Sequence, residues 1–310
     1  MSGKRIYIHE VAPRDGFQNE ANFIDTDAKV ALIDHLSWCG FAKIEATSFT
    51  SPKAIPALRD AEAVMHRIKR DPEVVYTVLV PNVRGAERAL SCSVDEVNLV
   101  MSVSESHNRS NLKMTREQSF AQLSDIIRVV KSTDVTINVS LSTAMGCPME
   151  GDIRQDEVLG WVQRFADLGV DGVTLCDTTG MAYPTQVGTL CKAALRRFAE
   201  LEITLHFHNT RGMALANTLS ALAAGIDRFD ASLGGLGGCP YAPGASGNIC
   251  TEDLAHMLEL EGYDTNLDLT ALLSASAMLP GLIGHDVPSQ ILKAGRRLDL
   301  HSMPSNVVNA

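Results

Sequence analysis

Short runs of β-favouring residues alternate with helix-forming stretches along almost the whole chain, and this alternation limits the fold more than any other feature. The runs with strand character cover residues 5–11, 43–47, 74–80, 96–101, 135–141, 172–176, 203–208 and 228–232. The stretches with helical character cover residues 26–38, 52–69, 84–90, 115–131, 152–168, 184–199, 213–224 and 251–260. Strands separated by helices pair in parallel, and eight such units close a barrel. The sequence therefore predicts an α/β fold, a (β/α)8 TIM barrel.

The length of the chain leaves room for one barrel and a small addition. A barrel of this kind takes about 250 residues, and the chain has 310. We expect residues 1–265 to form the catalytic barrel domain. Residues 266–310 are expected to form a helical extension that packs on the barrel, beside or across its mouth.

Charge, hydropathy and cysteine spacing exclude several classes of protein. The formal net charge is −10 and the basic residues are scattered, so we expect no nucleic-acid partner. Residues 1–10 lack the apolar core of a signal peptide. The stretch 270–284 is too short and too often interrupted to cross a membrane, so no membrane partner is expected. Seven cysteines without a Cys-x-x-Cys pair indicate reduced thiols in a cytoplasmic protein.

Two histidines at the end of the seventh predicted strand form the first candidate site. His206 and His208 are two residues apart, so on a strand both imidazoles point to the same face. The carboxyl ends of barrel strands are where enzymes of this fold place their chemistry. A pair of hydrogen-bonded histidines is the ordinary alternative, but the position favours a metal site.

The segment Pro13-Arg14-Asp15-Gly16 directly follows the first predicted strand. In a closed barrel the first strand lies beside the eighth and near the seventh, so Asp15 can reach the two histidines. Asp15 offers a hard oxygen ligand. Arg14 carries a permanent positive charge, and its planar guanidinium can donate two parallel hydrogen bonds. Taken alone, the segment is typical of an Asp-Gly turn beside a surface arginine.

A glycine-rich segment follows the eighth predicted strand. Six of the fifteen residues in 234–248 are glycine, so the backbone can adopt conformations that other residues avoid. The spacing does not match a dinucleotide-binding fingerprint. We interpret the segment as a mobile lid that carries one thiol, Cys239; a passive flexible loop is the alternative. Asn248 closes the segment and can offer a carbonyl oxygen to a metal.

Long ungapped motifs give the chain a specific resemblance. They are Val11–Glu20, Ile44–Lys53, Gly146–Gly151, Asp177–Gly180, Ala214–Leu219 and Gly235–Asp253. The last of these contains Gly-Leu-Gly-Gly-Cys-Pro-Tyr-Ala and Gly-Ala-Ser-Gly-Asn-Ile-Cys-Thr-Glu-Asp. From residue 11 to about 260 the chain resembles the 3-hydroxy-3-methylglutaryl-CoA lyase family, which belongs to a group of metal-dependent barrel enzymes that includes isopropylmalate and homocitrate synthases.

The resemblance implies a role for particular positions. The divalent-metal ligands of the family fall on Asp15, His206, His208 and Asn248. The catalytic arginine, the acid near the substrate, the mobile-loop cysteine and a further active-site acid fall on Arg14, Glu45, Cys239 and Asp177. The implied cofactor is Mg²⁺ or Mn²⁺ rather than a tight structural Zn²⁺, because oxygen ligands and open positions favour the harder cations.

The implied reaction is a metal-assisted retro-Claisen cleavage of a 3-hydroxyacyl-CoA, within leucine degradation, by a homodimer or a higher homo-oligomer. The products are acetyl-CoA and a keto acid such as acetoacetate. Arg14 would stabilise the thioester oxygen as it gains negative charge, and Cys239 would protonate the enolate carbon. His206 and Asp15 are both candidates for the base that takes the hydroxyl proton.

Three positions depart from the pattern of the family: Ala21, Asn209 and Arg211 stand where Lys, Asp and Tyr are usual. These changes lie near the metal site, so the acyl group of the substrate can differ from the one usual in the family. A lyase for a related substrate such as citramalyl-CoA is therefore one alternative, and a Claisen-type condensing synthase is another. A non-catalytic protein that uses the barrel as a scaffold is the alternative outside enzymes.

Overall fold

A computed structural model describes residues 3–238, 247–300 and 302 of the protein. Within those ranges eight parallel strands close into a barrel, each paired with the next along the chain, and β1 paired with β8. The strands are β1 (Tyr7–Glu10), β2 (Lys43–Ser48), β3 (Val75–Leu79), β4 (Glu96–Ser102), β5 (Thr136–Ser142), β6 (Gly172–Asp177), β7 (Glu202–Phe207) and β8 (Arg228–Ala231). The predicted (β/α)8 barrel is confirmed.

Helices follow the strands and cover the outside of the barrel. They are α1 (Thr26–Ser37), α2 (Ala61–Arg67), α3 (Val83–Leu90), α4 (Glu105–Leu112), α5 (Arg116–Val130), α6 (Gln155–Asp167), α7 (Pro184–Arg197), α8 (Ala214–Ala224), α9 (Thr251–Leu260), α10 (Leu269–Ile283) and α11 (Ile291–Ala294). Side chains cap several of the first turns; in α5, for example, Thr115 and Gln118 form a reciprocal capping box, which satisfies two backbone donors that a helix start leaves open.

One local prediction was wrong, and one helix was not predicted. The helix predicted over 52–69 is a 3-10 turn at Pro56–Leu58 followed by the shorter α2, because a proline restrains the residue before it from the helical region. Helix α4 was not predicted, because its sequence Glu-Ser-His-Asn-Arg-Ser-Asn-Leu has no apolar periodicity. Its start is nevertheless marked by Ser104, whose side chain accepts the backbone N–H of His107.

The centre of the barrel is polar, and several of its polar groups pair with one another. Lys43 donates from Nζ to both carboxylate oxygens of Glu96, at 2.7 and 2.6 Å. Asn138 donates from Nδ2 to Asn98 Oδ1 and to Thr174 Oγ1, both at 3.0 Å. Buried polar groups need such partners to offset their desolvation, and this paired layer lies below the carboxyl ends of the strands.

The chain after residue 265 packs on the side of the barrel through α10. Asp268 caps this helix with its side chain, and its backbone N–H donates to the Cys39 carbonyl at 2.9 Å. His35 of α1 contacts the Ala271 carbonyl at 3.0 Å. No helix in the described ranges is both long and apolar enough to cross a membrane. The division of the chain at residue 265 stays a prediction.

A test of this packing uses Gly40, which has φ of +90° and lies against the Asn266 backbone. A Cβ at this position would overlap the Asn266 carbonyl oxygen, and a left-handed backbone is itself unfavourable for other residues. We expect Gly40→Ala to lower the free energy of unfolding by about 2 kcal/mol or more, measured by urea denaturation.

The matched control is Gly160→Ala. Gly160 lies inside α6, and a Cβ there meets no atom within 4 Å. Because alanine favours the helix, this variant should raise the free energy of unfolding by about 0.5–1 kcal/mol. Equal stability of the two variants would contradict the close approach at Gly40.

Candidate active site

The turn after β1 places Arg14 and Asp15 at the barrel mouth. Residues Ala12–Gly16 form one π-helical turn, in which the backbone N–H of Asp15 donates to the Val11 carbonyl at 2.7 Å. Glu10, the last residue of β1, accepts the backbone N–H of the first residue of this turn at 2.8 Å. Arg14 and Asp15 consequently line the same cavity, and Arg14 is buried rather than lying on the surface.

Asp15, His206 and His208 come together at the mouth. Each offers one ligand atom, and these atoms lie within 4.8 Å of one another. His206 and His208 are buried, and the side chain of Asp15 is 13% exposed. The two histidines come from the end of β7 and the position just beyond it. A group of one carboxylate and two imidazoles is a possible site for a divalent cation.

Asn248 lies beside this cluster, and its contacts test whether a cation fits. A β-bridge joins Asn248 to His208, and Asn248 donates from Nδ2 to Asp15 Oδ2 at 2.7 Å. Its Oδ1 is buried without a hydrogen-bond partner in the described structure. Unpaired buried polar atoms are costly, and a bound cation offers a partner for such atoms. The residues fit a divalent cation.

The pKa shifts of two members of the cluster, His208 and Asp15, favour the forms that bind a cation. Burial lowers the pKa of His208 to about 3. Burial alone would raise the pKa of Asp15, but the adjacent Arg14 guanidinium brings it below its usual value. Ligands must be deprotonated to bind a metal, and both shifts favour the deprotonated form.

Asp230 of β8 also belongs to this cluster, although no sequence pattern had singled it out. Its Oδ2 lies 3.1 Å from Nδ1 of His206, and its Oδ1 lies 3.1 Å from Nδ1 of His9. Burial opposes ionisation of Asp230, but the two hydrogen bonds hold its pKa well below its usual range. The sequence did contain one sign of it: an acidic residue stands inside a strand between two apolar residues, Phe229 and Ala231.

Arg14 is held between two carboxylates. It donates from Nε to Glu45 Oε2 at 2.6 Å and from Nη1 to Asp15 Oδ1 at 2.7 Å. Burial acts to lower the pKa of the guanidinium, but Glu45 and Asp15 raise it. Glu45 in turn accepts Nδ2 of Asn98 at 2.9 Å. The structure therefore places Arg14 and Glu45 together at the cluster, with Glu45 below the guanidinium.

Asp177 lies at the end of β6 and holds the loop that follows it. Its Oδ1 accepts the backbone N–H groups of Met181 and Ala182 at 2.7 and 3.1 Å. Its Oδ2 is buried without a hydrogen-bond partner in the described structure, and burial raises the pKa of the carboxyl to about 6. Asp177 does not line the cavity formed by the described residues.

The three atypical positions lie around the mouth rather than in it. Arg211 donates from Nη1 to the carbonyl oxygens of Thr179 and Gly180, at 3.0 and 2.9 Å. Asn209 accepts the backbone N–H of Ala214 at 3.2 Å. Neither residue lines the cavity formed by the described residues, and Ala21 is exposed. Their influence on a substrate would therefore be indirect, through the loops after β6 and β7.

A cavity of about 660 Å³ opens above the cluster and extends beyond it. Arg14, Asp15, His206 and His208 line one end, and residues of α4 and α5 such as Asn111 and Gln122 line another part. Its size falls in the range of small-molecule and cofactor sites. Cys239 lies outside the described residues, but the preceding residue, Gly238, lines the cavity.

Comparisons with known proteins agree on one family. A family model described as HMGL-like matches residues 5–279 of the chain. Hydroxymethylglutaryl-CoA lyase YngG of Bacillus subtilis is 45% identical over 290 residues, which cover 94% of this chain and 97% of that protein. (R)-Citramalyl-CoA lyase of Chloroflexus aurantiacus is 38% identical over 300 residues, which cover 94% of this chain and 95% of that protein.

Solved structures agree with the sequence comparisons. An HMG-CoA lyase from Acinetobacter baumannii, in complex with coenzyme A and 3-methylmalate, superposes with a TM-score of 0.92 at 50% sequence identity. The match covers 96% of this chain and 98% of that chain.

The geometry of the cluster predicts that the protein binds a divalent cation with a dissociation constant that depends on His208. Titration of the protein with Mn²⁺ by calorimetry should show that His208→Ala weakens binding by more than about 100-fold, because loss of a ligand should exceed the 10–100-fold effect of an outer partner. His285→Ala is the matched control, since His285 is exposed and pairs with Glu20. Equal affinities in the two variants would contradict the site.

Proposed function

The chain belongs to the HMGL-like family of lyases, and from that premise we propose that it cleaves 3-hydroxy-3-methylglutaryl-CoA, or a close 3-hydroxyacyl-CoA analogue, to acetyl-CoA and a keto acid. The observation that carries the proposal is the buried group of Asp15, His206 and His208 at the end of the cavity. Such a cleavage leaves an enolate of acetyl-CoA, and an enolate needs positive charge near its oxygen.

We propose that Asp15, His206, His208 and Asn248 hold Mg²⁺ or Mn²⁺. The unpartnered Asn248 Oδ1 and the carboxylate of Asp15 supply oxygen atoms, which suit these cations better than soft donors do. When bound, the cation supplies charge that lowers the pKa of the substrate hydroxyl. Asp15 is proposed to receive the hydroxyl proton, because Nδ1 of His206 pairs with Asp230 and its other ring nitrogen would hold the cation.

Arg14 is proposed to stabilise the thioester oxygen as it becomes negative. The guanidinium lines the cavity, and its position is restrained by the bonds to Glu45 and Asp15. A donor that is already oriented needs little reorganisation when charge develops. Glu45, which contacts Arg14 rather than the cavity, is proposed to position it. Asp177 is proposed to shape the loop after β6, since it binds two backbone N–H groups there.

Cys239 is proposed to donate the proton that converts the enolate to acetyl-CoA. The residues on either side of the undescribed segment support this role by their position. Gly238 accepts Nδ2 of Asn19 at 3.0 Å, and the Gly247 carbonyl accepts the backbone N–H of Asn209 at 3.0 Å. Gly238 lines the cavity, and Gly247 directly precedes Asn248, which bonds to Asp15, so both described neighbours of the segment lie near the candidate site.

A second candidate substrate is citramalyl-CoA. One comparison favours it: the Chloroflexus relative is named (R)-citramalyl-CoA lyase. Asn209 and Arg211 hold the loops that border the cavity, so they are proposed to influence which acyl group is accepted. A role in leucine degradation, a cytoplasmic location and a homo-oligomeric state remain predictions.

The proposed reaction is tested with a panel of acyl-CoA thioesters. Each thioester is incubated with protein and Mg²⁺ or Mn²⁺, and the products are identified by mass. We expect acetyl-CoA and acetoacetate from 3-hydroxy-3-methylglutaryl-CoA, with turnover lost after exhaustive chelation and restored by added cation. Pyruvate from citramalyl-CoA at a higher kcat/KM would assign the second substrate. Full turnover after chelation would contradict the metal site, and no cleavage of any thioester would contradict a lyase.

Replacement of Cys239 by serine tests the proton donor. Because loss of a general acid typically costs about 10²–10⁴ in rate, Cys239→Ser should reduce kcat by a factor in that range while Mn²⁺ affinity is unchanged. Cys191→Ala is the control, since Cys191 lies buried on α7 away from the cavity. Alkylation should inactivate the wild type and be slowed by substrate. Near-normal turnover of Cys239→Ser would remove the residue from the mechanism.

A further inference from the structure

Asp230 contacts one of the candidate metal ligands from below, and none of the roles described above uses it. Its two carboxylate oxygens lie 3.1 Å from Nδ1 of His206 and 3.1 Å from Nδ1 of His9. We propose that Asp230 is a positioning residue of the metal centre, which fixes His206 with Nε2 directed to the cation, and that His9 holds Asp230 in place. This inference rests on the cation site proposed above.

The backbone of the barrel sets up the arrangement. Asp230 of β8 is the register partner of His9 in β1 and also of His206 in β7. Residues at one level of neighbouring parallel strands point to the same face, so the three side chains meet inside the barrel. Their side chains are 13, 4 and 10% exposed respectively. The triad is therefore built into three consecutive strands rather than being a surface contact.

The chemistry of the triad determines which histidine nitrogen is left for a metal. An ionised carboxylate has acceptors only, so both imidazoles must donate from Nδ1. In a neutral imidazole the other nitrogen then carries the lone pair, which for His206 is Nε2. Proteins commonly orient a histidine ligand, and raise its basicity, with a carboxylate that accepts the N–H of the ring nitrogen that does not bind the metal.

His208 provides an internal comparison. Its Nδ1 has no hydrogen-bond partner in the described structure, so this ligand has no carboxylate behind that nitrogen. The effect of Asp230 on cation binding must therefore act through His206. Removing His206 should consequently remove most of the effect of replacing Asp230.

His9 hydrogen-bonds through Nδ1 to the second carboxylate oxygen of Asp230, and this contact fixes the plane of the carboxylate. Without His9 that oxygen would lose its partner in a nearly buried position, which is unfavourable. Asparagine carries a donor nitrogen one bond beyond Cγ, as histidine carries Nδ1, so His9→Asn can preserve the contact. His9→Val fills the space without a donor and cannot preserve it.

The test measures Mn²⁺ affinity and the histidine tautomer in the full-length protein. In Asp230→Asn the side chain has only one acceptor oxygen, so it cannot accept the N–H groups of both His9 and His206. We therefore expect a 10–100-fold loss of Mn²⁺ affinity. His9→Val should lose affinity and His9→Asn should restore it. Long-range ¹H–¹⁵N spectra of histidine-labelled, metal-free protein should show His206 as the Nδ1–H tautomer in the wild type and a changed tautomer in Asp230→Asn.

A double-variant cycle identifies the route of the effect. In a His206→Ala background, Asp230→Asn should change Mn²⁺ affinity by much less than in the wild type, because coupled residues are not additive. Circular dichroism verifies that each variant is folded. A folded Asp230→Asn with wild-type Mn²⁺ affinity and an unchanged His206 tautomer would overturn the inference.

The inference and the proposed function fail in different ways. Mn²⁺ binding that depends on Asp230, with no cleavage of any acyl-CoA, would reject the reaction but support the positioning role. Cleavage of acyl-CoA with an Asp230-independent Mn²⁺ affinity and tautomer would support the reaction and reject the positioning role. If the wild type bound no Mn²⁺, the cation site would fail and the inference would fail with it.

Discussion

The barrel buries charged groups, and the site depends on how they are paired. Arg14 lies between Glu45 and Asp15, and Asp230 lies between two imidazoles. Removing one partner from a buried ion pair costs far more than the pair itself contributes to stability. Each contact therefore constrains its neighbours: Glu45 orients Arg14, and Arg14 keeps the adjacent carboxylate ionised. The site can be rigid before substrate arrives because its charges are already paired.

Much of the fold and part of the site could be predicted because their signals are local. Alternating strand and helix patterns need no knowledge of contacts, and the structure closes the eight strands in the predicted order. The spacing of His206 and His208 places both on one strand face, and the adjacency of the first and last strands brings Asp15 to them. Strand periodicity and barrel closure together were sufficient for this cluster.

The remaining features depend on tertiary contacts that no short pattern records. The role of Asp230 can be recognised only when β1, β7 and β8 are known to lie side by side. Its partners His9 and His206 are 221 and 24 residues away in the chain. Arg14 can be buried because Glu45, a residue of β2, pairs with its guanidinium. Helix α4 carries so few apolar residues that its capping serine was the only sign of it.

The candidate ligands come from opposite ends of the chain, and this has a consequence for folding. Asp15 follows β1, whereas His206 and His208 lie at and just beyond the end of β7, and Asn248 lies in the segment after β8. The strands β1 and β8, which meet where the barrel closes, have only four residues each. A cation held by these ligands would span that seam, and only the closed barrel assembles all of them. Occupancy by the cation and closure of the barrel are then linked equilibria, so the ion that serves the chemistry would also stabilise the barrel at its shortest strands.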